Sequence, residues 1–220
     1  MFANIEAVIF DLDGTLIDSV WVWKEIDIEY MRQKALDLPE DLQTCIEGMS
    51  FTETALYFKE RFNIEGTVEE IKEEWHCMAE AYYMNKIPLK EGVHDMIQLI
   101  RSKGIKLGVG TSSSQALTRT ILKKHNLLHY FDVIVTSCEV KKGKPHPDVF
   151  LKAAERLAVK PEKCLVFEDT YAGVLAAKQA NMKVFAVEDE CSLPNKEKIM
   201  ELADRYITGF IEITGCSNRC

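Results

Sequence analysis

Two aspartates, Asp11 and Asp13, follow directly on the apolar run Ala7 to Phe10 in the segment Phe10-Asp-Leu-Asp-Gly-Thr15. Carboxylates at i and i+2 leave a strand end on the same side, because side chains alternate with a period of two. At the carboxyl end of a parallel strand, such a pair faces the crevice in which open α/β sheets bind ligands. Two like charges there are costly unless a cation or a catalytic role compensates. An isolated Asp-x-Asp-Gly also forms ordinary surface Asx turns, so the pair acquires meaning only from its company. Three later loops supply that company. Gly108-Val-Gly-Thr111-Ser112-Ser113-Ser114 is a small hydroxyl-rich turn that can offer N–H and O–H groups to a phosphate, or simply cap a helix. Lys144 stands between Gly143 and Pro145; a stiff backbone aims it, and it either neutralises a phosphate or is a solvated loop lysine. Phe167-Glu168-Asp169-Thr170 puts two acids at a strand end, suited to a hard divalent cation or to the first turn of a helix. Two Asp, a hydroxyl, a Lys and an acidic pair form the set that phosphoryl transfer to a carboxylate requires.

Positioning these loops is the task of the elements between them. Ala7 to Phe10, Lys106 to Val109, Val133 to Thr136, Cys164 to Phe167 and Val184 to Val187 are short apolar runs without polar alternation. That pattern predicts parallel strands buried on both faces. Helical patterns alternate with them over Gly92 to Ser102, Gln115 to His125, Pro147 to Leu157 and Tyr171 to Ala180. The alternation predicts a Rossmann-like, doubly wound parallel α/β core, with Tyr206-Ile-Thr as an added sheet edge. One interval breaks the rule. Between the first strand and Glu91 the chain reads as helices over Val20 to Leu36, Glu40 to Ile46, Phe51 to Phe62 and Val68 to Met84. Ser50-Phe-Thr-Glu53 and Thr67-Val-Glu-Glu70 carry the capping-box pattern of a helix start. We therefore expect a four-helix cap, residues 17–84, inserted into a core formed by residues 1–16 and 85–220, with Lys86-Ile-Pro-Leu as the return linker.

Composition narrows the partners. The chain has 220 residues and a net charge of -8, a poor match for a nucleic-acid backbone or an anionic membrane surface. No apolar run approaches the roughly 18 residues of a membrane span, and the amino terminus lacks the basic segment of a signal peptide. Seven scattered cysteines without a Cys-x-x-Cys pair fit reduced thiols in a cytoplasmic protein. Cys216 and Cys220, close together in a polar tail, are the pair that could bind metal or oxidise. The sequence contains no phosphate-binding P-loop, dinucleotide fingerprint or Gly-x-Ser-x-Gly elbow.

The four loops, in this order and with a helical insert after the first, resemble the haloacid dehalogenase-like hydrolases over nearly the whole chain, and within them the β-phosphoglucomutase-like phosphatases. The resemblance implies an Mg²⁺-dependent phosphatase acting on a small phosphorylated metabolite, as a monomer or a homodimer. It implies Asp11 as the nucleophile that forms an aspartyl-phosphate. Asp13 becomes the general acid and base, with its backbone carbonyl in the metal shell. Thr111, Ser112 and Lys144 hold the phosphoryl group, Lys144 bridging it to Asp11. Glu168 and Asp169 serve Mg²⁺, Asp169 as the more direct ligand. The second carboxylate, Asp13, argues against dehalogenase chemistry. The mutases of the subgroup are the alternative, and three departures weigh against them. Trp21 and Trp23 stand where a cap His is common, Phe51 follows Gly48-Met-Ser50 where an Arg is typical, and Ser114 replaces a basic residue. A binding protein that keeps the fold without catalysis is a weaker alternative, since it needs no second carboxylate. Trp21, Trp23, Phe51 and Tyr57 either line a closed pocket or pack the core of the cap, and the second reading is preferred.

Overall fold

The computed structural model describes residues 2–215. Cys216 and Cys220 lie outside that range. Six strands form one parallel sheet: β1 (Ala7–Phe10), β2 (Lys106–Thr111), β3 (Val133–Thr136), β4 (Cys164–Glu168), β5 (Lys183–Val187) and β6 (Arg205–Ile207), in the order β3-β2-β1-β4-β5-β6. The short Tyr206 segment is thus the sheet edge expected of it. β1 lies between β2 and β4, with Ile9 level with Gly108 on one side and Val166 on the other. The order reverses direction beside β1, which places its carboxyl end at the switch point of the sheet.

All four residues of β1 are buried, and the period of two sends them to opposite faces. Val8 and Phe10 join one apolar cluster, with Leu107, Val109, Leu165 and Phe167 from the neighbouring strands. Ala7 and Ile9 join the other, with Cys164, Val166, Val184 and Ala186. Phe10 stacks on Phe167 at 5.0 Å, so the first cluster has an aromatic centre beneath the sheet's carboxyl edge.

Helices α1 (Val20–Gln33), α2 (Leu42–Ile46), α3 (Phe51–Phe62) and α4 (Val68–Asn85) fill the interval after β1. α5 (Val93–Ser102), α6 (Gln115–Lys124), α7 (Asp148–Leu157) and α8 (Tyr171–Gln179) alternate with the strands, and the shorter α9 (Lys196–Leu202) and α10 (Ile211–Thr214) follow β5 and β6. Both capping boxes form. The Ser50 hydroxyl accepts from Glu53 N while Glu53 accepts from Ser50 N, and Thr67 and Glu70 do the same for α4. α1, α3 and α4 share an aromatic core of Tyr30, Phe51, Phe58 and Trp75, with Phe58 and Trp75 4.8 Å apart and edge-on. α9 and α10 escape the sequence reading. Each is too short, at seven and four residues, to show a helical period.

Candidate active site

Asp11, Thr111, Glu168 and Asp169 stand at or just beyond the carboxyl ends of β1, β2 and β4, and Lys144 arrives from the loop after β3. All five are buried. They line one cavity of about 390 Å³, whose other wall is contributed by α1, α2, α3 and α4.

Lys144 is the hub. Its Nζ lies 2.8 Å from Asp11 Oδ1 and 2.6 Å from Glu168 Oε1, above the ring of Phe150 at 5.2 Å. Burial works against the ammonium charge, and the carboxylates of Asp11 and Glu168 more than offset it, so the lysine is held above its ordinary range. The other oxygen of Glu168 accepts from Thr170 N at 2.6 Å and Thr170 Oγ1 at 3.0 Å. Glu168 therefore anchors the lysine and the start of α8. Gly173 makes this possible, because a Cβ there would sit 1.7 Å from Glu168 Oε1.

Asp169 differs from its neighbour. Its Oδ1 accepts from Thr15 Oγ1 at 2.7 Å, while Oδ2 is buried without a hydrogen-bond partner. Burial, then the charges of Glu168, Asp11 and Asp189, push its carboxyl well above the ordinary range. Gly14, at φ +78°, carries the turn past it; a Cβ there would lie 2.2 Å from Asp169 Oδ2. One oxygen each from Asp11, Glu168 and Asp169 lie within 4.8 Å of one another. With every group ionised, three carboxylates against one lysine carry two net negative charges in a buried site, and burial resists that ionisation at Asp11 and Asp169. An orphaned oxygen and that charge fit a divalent cation of the hard, oxygen-binding kind.

Asp13 turns toward the cap. Its Oδ1 accepts from Ser19 Oγ at 2.6 Å, from Trp23 Nε1 at 3.3 Å, and from the Tyr83 hydroxyl. Burial raises its carboxyl, and these three donors oppose the rise. Its side chain stands outside the acidic cluster, consistent with a reading in which only its carbonyl serves a metal. Thr111 Oγ1 accepts from Ser113 N at 3.0 Å. Ser112 Oγ donates to Gly48 O at 3.3 Å, a link from core loop to cap. Ser113 Oγ, which the sequence reading left out, is buried without a partner on the cavity wall. Two cap carboxylates also bind core amides: Glu47 accepts from Ala172 N at 3.2 Å and Glu53 from Gly143 N at 3.5 Å.

Sequence reasoning missed Ser19 and Tyr83 as partners of Asp13, and Asp27, Gln43 and Trp75 as cavity residues. A signal for Asp27 exists. It is a carboxylate on the buried stripe of α1 that holds Val22, Ile26, Tyr30 and Met31. Of the four aromatic candidates, Trp23 and Phe51 line the cavity while also packing edge-on at 5.8 Å. Trp21 is 39% exposed and faces a separate cleft beside β5 and β6. Tyr57 is not among the residues lining the cavity that holds Asp11 and Lys144.

The model of the haloacid dehalogenase-like hydrolases matches residues 8–187. The chain belongs to that family. Like other haloacid dehalogenase-like hydrolases of its kind, it is an enzyme of the phosphatase type. It is 35% identical over 179 residues to the phosphorylated carbohydrates phosphatase of Thermotoga maritima, covering 81% of this chain and 83% of that one. It is 36% identical over 209 residues to the bifunctional riboflavin kinase/FMN phosphatase of Arabidopsis thaliana, covering 94% of this chain and 54% of that longer protein. Among solved structures, β-phosphoglucomutase from Clostridium difficile is similar at a TM-score of 0.80 and 25% identity, covering 95% of this chain and 93% of that one. The family and the Rossmann-like fold expected from the sequence are thus borne out. Among the described residues no helix is long and apolar enough to cross a membrane.

Proposed function

We propose that the protein is an Mg²⁺-dependent phosphatase of small phosphate monoesters, sugar phosphates or nucleotide-like metabolites, acting through an aspartyl-phosphate on Asp11. The carrying observation is the Asp11–Lys144–Glu168 chain of hydrogen bonds beside the orphaned oxygen of Asp169. Asp11 and Glu168 both face the lysine and the cavity, but Glu168 gives its other oxygen to Thr170, whereas among the described residues no hydrogen bond engages Asp11 Oδ2. The Asp11 carboxylate oxygen attacks phosphorus and the ester P–O bond breaks. Lys144 sits where it balances charge on Asp11 and on the arriving phosphoryl oxygens. Thr111, Ser112 and Ser113 offer hydroxyl and backbone donors to the same group. Asp13 gives its proton to the leaving oxygen. It then takes a proton from water as the water oxygen bonds phosphorus and the Asp11–phosphoryl bond breaks. Asp11, Asp169 and the Asp13 carbonyl would hold Mg²⁺, with Glu168 behind them, and the ion supplies positive charge against the phosphoryl oxygens.

The segment 17–84 acts in this reading as a cap on the core of 1–16 and 85–220. Ser19, Trp23 and Tyr83 come from that segment, so Asp13 receives its hydrogen bonds only when the cap is in place. Closure then excludes bulk water and orients the acid together. The mutase is the second reading, favoured by the likeness to β-phosphoglucomutase. Against it, Lys144 is among the described residues the one Lys or Arg lining the cavity, which leaves no cationic clamp there for a second phosphate.

The test is phosphate release from a panel of monoesters with Mg²⁺, in wild type, Asp11→Asn and excess chelator, with β-glucose 1-phosphate included and glucose 6-phosphate followed in the same tube. Free phosphate that disappears with Asp11→Asn and with chelator supports the proposal. Glucose 6-phosphate with little free phosphate establishes the mutase instead.

A further inference from the structure

The cap wall of the cavity carries polar groups that the phosphoryl chemistry does not use. Asp27, on α1, is 5% exposed and lines the cavity. Its Oδ2 accepts from Gln43 Nε2 at 2.7 Å; among the described residues no other hydrogen bond or ion pair engages this carboxylate. Burial pushes it up to about 6, and the Gln43 bond resists the rise. A buried acid with one neutral partner is expensive unless something else completes its bonding. Trp75, on α4, lines the same cavity and is 2% exposed; its indole Nε1–H is buried with no acceptor. One wall thus holds an under-used acceptor and an unused donor.

The remaining lining narrows what could complete them. Among the described residues, the charged side chains on the cavity besides Lys144 are all acids: Asp11, Asp13, Asp27, Glu47, Glu168 and Asp169. A leaving group with its own phosphate or carboxylate would meet repulsion from Asp27 and Glu47 and no clamp. A flat aromatic leaving group needs a bare ring face. Trp75 is packed edge-on among Tyr30, Phe51 and Phe58, and Trp23 between Phe51 and Tyr83. Alcohol hydroxyls both donate and accept, so a group bearing several of them can supply a donor to Asp27 and an acceptor to Trp75.

Building on the phosphatase reading above, we infer that Asp27, oriented by Gln43, and the Trp75 indole N–H are specificity determinants that read the hydroxyls of an uncharged polyhydroxylated leaving group, making the substrate a sugar or sugar-alcohol monophosphate. The cation-poor wall rejects bisphosphates, and the closed aromatic cluster rejects flavin and base-bearing esters.

Sorbitol 6-phosphate against n-hexyl phosphate is the decisive pair, since the two differ only in hydroxyls. Wild type is expected to prefer the former at least tenfold in kcat/KM. Asp27→Ala and Gln43→Ala should remove most of that preference, and Trp75→Phe, which keeps an aromatic side chain without the indole N–H, should lower it three- to tenfold. The losses should fall chiefly in KM, with n-hexyl phosphate changing less than twofold. Gln43 is exposed at the cavity rim, so its variant tests the idea even where Asp27→Ala fails to fold. Fructose 1,6-bisphosphate should be at least tenfold worse than fructose 1-phosphate. Equal losses on both esters, no loss on either, or FMN or the bisphosphate as the best substrate would overturn the inference. The two readings fail differently. A wild type that cleaves p-nitrophenyl phosphate without preferring hydroxylated esters refutes only the hydroxyl-reading wall. A wild type inert on every ester, p-nitrophenyl phosphate included, refutes the phosphatase reading and the inference with it.

Discussion

On the core wall of the cavity, Asp11, Lys144 and Glu168 form a continuous chain of hydrogen bonds at strand ends, and every strand behind them is locked to its neighbours in parallel register. On the cap wall, Asp27 has one partner and Trp75 Nε1 has none, on helices joined by loops. The core wall is crowded with charge that balances internally to a divalent deficit. The cap wall is mostly apolar, with a few polar atoms waiting for a ligand. The difference separates two tasks. A reaction that always transfers the same group needs donors fixed beforehand. Choice among leaving groups needs unsatisfied atoms that a correct substrate completes and a wrong one leaves unpaired.

The largest effects should come from the core wall. Asp11→Asn keeps shape and volume but replaces the carboxylate that we propose attacks phosphorus with an amide. Turnover should fall by at least about a thousandfold, while circular dichroism and thermal unfolding stay near wild type. Retained turnover would dissolve the distinction between the walls, because the reaction would then not depend on the core charge cluster. Lys144→Met should cost about 3–5 kcal/mol of folding stability in metal-free buffer, as removing one partner leaves buried carboxylates uncompensated. Added Mg²⁺ should return part of that loss in denaturant unfolding. A variant as stable as wild type without metal would mean that the acids are neutral in the fold and the charge balance drawn above is wrong.

How much of each wall was legible follows from the same contrast. Acidic core residues announce themselves because a short apolar run that ends in Asp or Glu is abrupt in sequence. Asp11, Glu168 and Asp169 stand at such junctions, Thr111 in a hydroxyl-rich turn and Lys144 between Gly143 and Pro145, and the structure brings all five to one cavity. The division of labour between Glu168 and Asp169 was less visible. It depends on Thr15, Thr170 and Gly173, contacts spread across the chain. Asp27, Gln43 and Trp75 sit inside helices whose pattern is dominated by packing, and Gln43 and Asp27 meet only after the chain has turned from α1 to α2. Three consecutive serines cannot be ranked in sequence, because only the folded turn shows that Ser113 is the buried one.

The cap wall offers a test in pH. Asp27 has a folded-state value of about 6, above the ordinary 3.8, so the fold favours its neutral form. Its contribution to stability is fully present below about pH 4 and is lost as pH rises through 6, amounting to about 3 kcal/mol. Wild type should therefore lose stability relative to Asp27→Asn between pH 4 and 7 in urea titrations. Parallel curves would show that the carboxylate is already satisfied and that the cap wall is not waiting for a ligand. Tyr83→Phe probes the seam where the walls meet. Losing one of three donors to Asp13 should lower kcat about tenfold on alkyl phosphates, with KM little changed. p-Nitrophenyl phosphate should suffer less, because its leaving group departs without a proton. Equal losses on both would assign Tyr83 to packing.

The smallest effect sharpens the contrast at the level of a single helix end. α3 begins at Ser50, whose hydroxyl accepts from Glu53 N at 3.1 Å while Glu53 Oε2 accepts from Ser50 N at 2.8 Å. The same Glu53 reaches the Gly143 amide beside Lys144, so one capping box serves both a cap helix and the core loop that carries the lysine. Ser50→Ala frees the Glu53 amide and should cost about 1 kcal/mol, a fall in Tm of roughly 2–4 °C for a chain of this size. Hydrogen exchange locates the loss. Faster exchange confined to the first turn of α3 means that the helix start is held locally and the core loop keeps its place without it. Faster exchange that also reaches Gly143 and the residues after it means that the cap helps hold the lysine in register, and the two walls are then mechanically one.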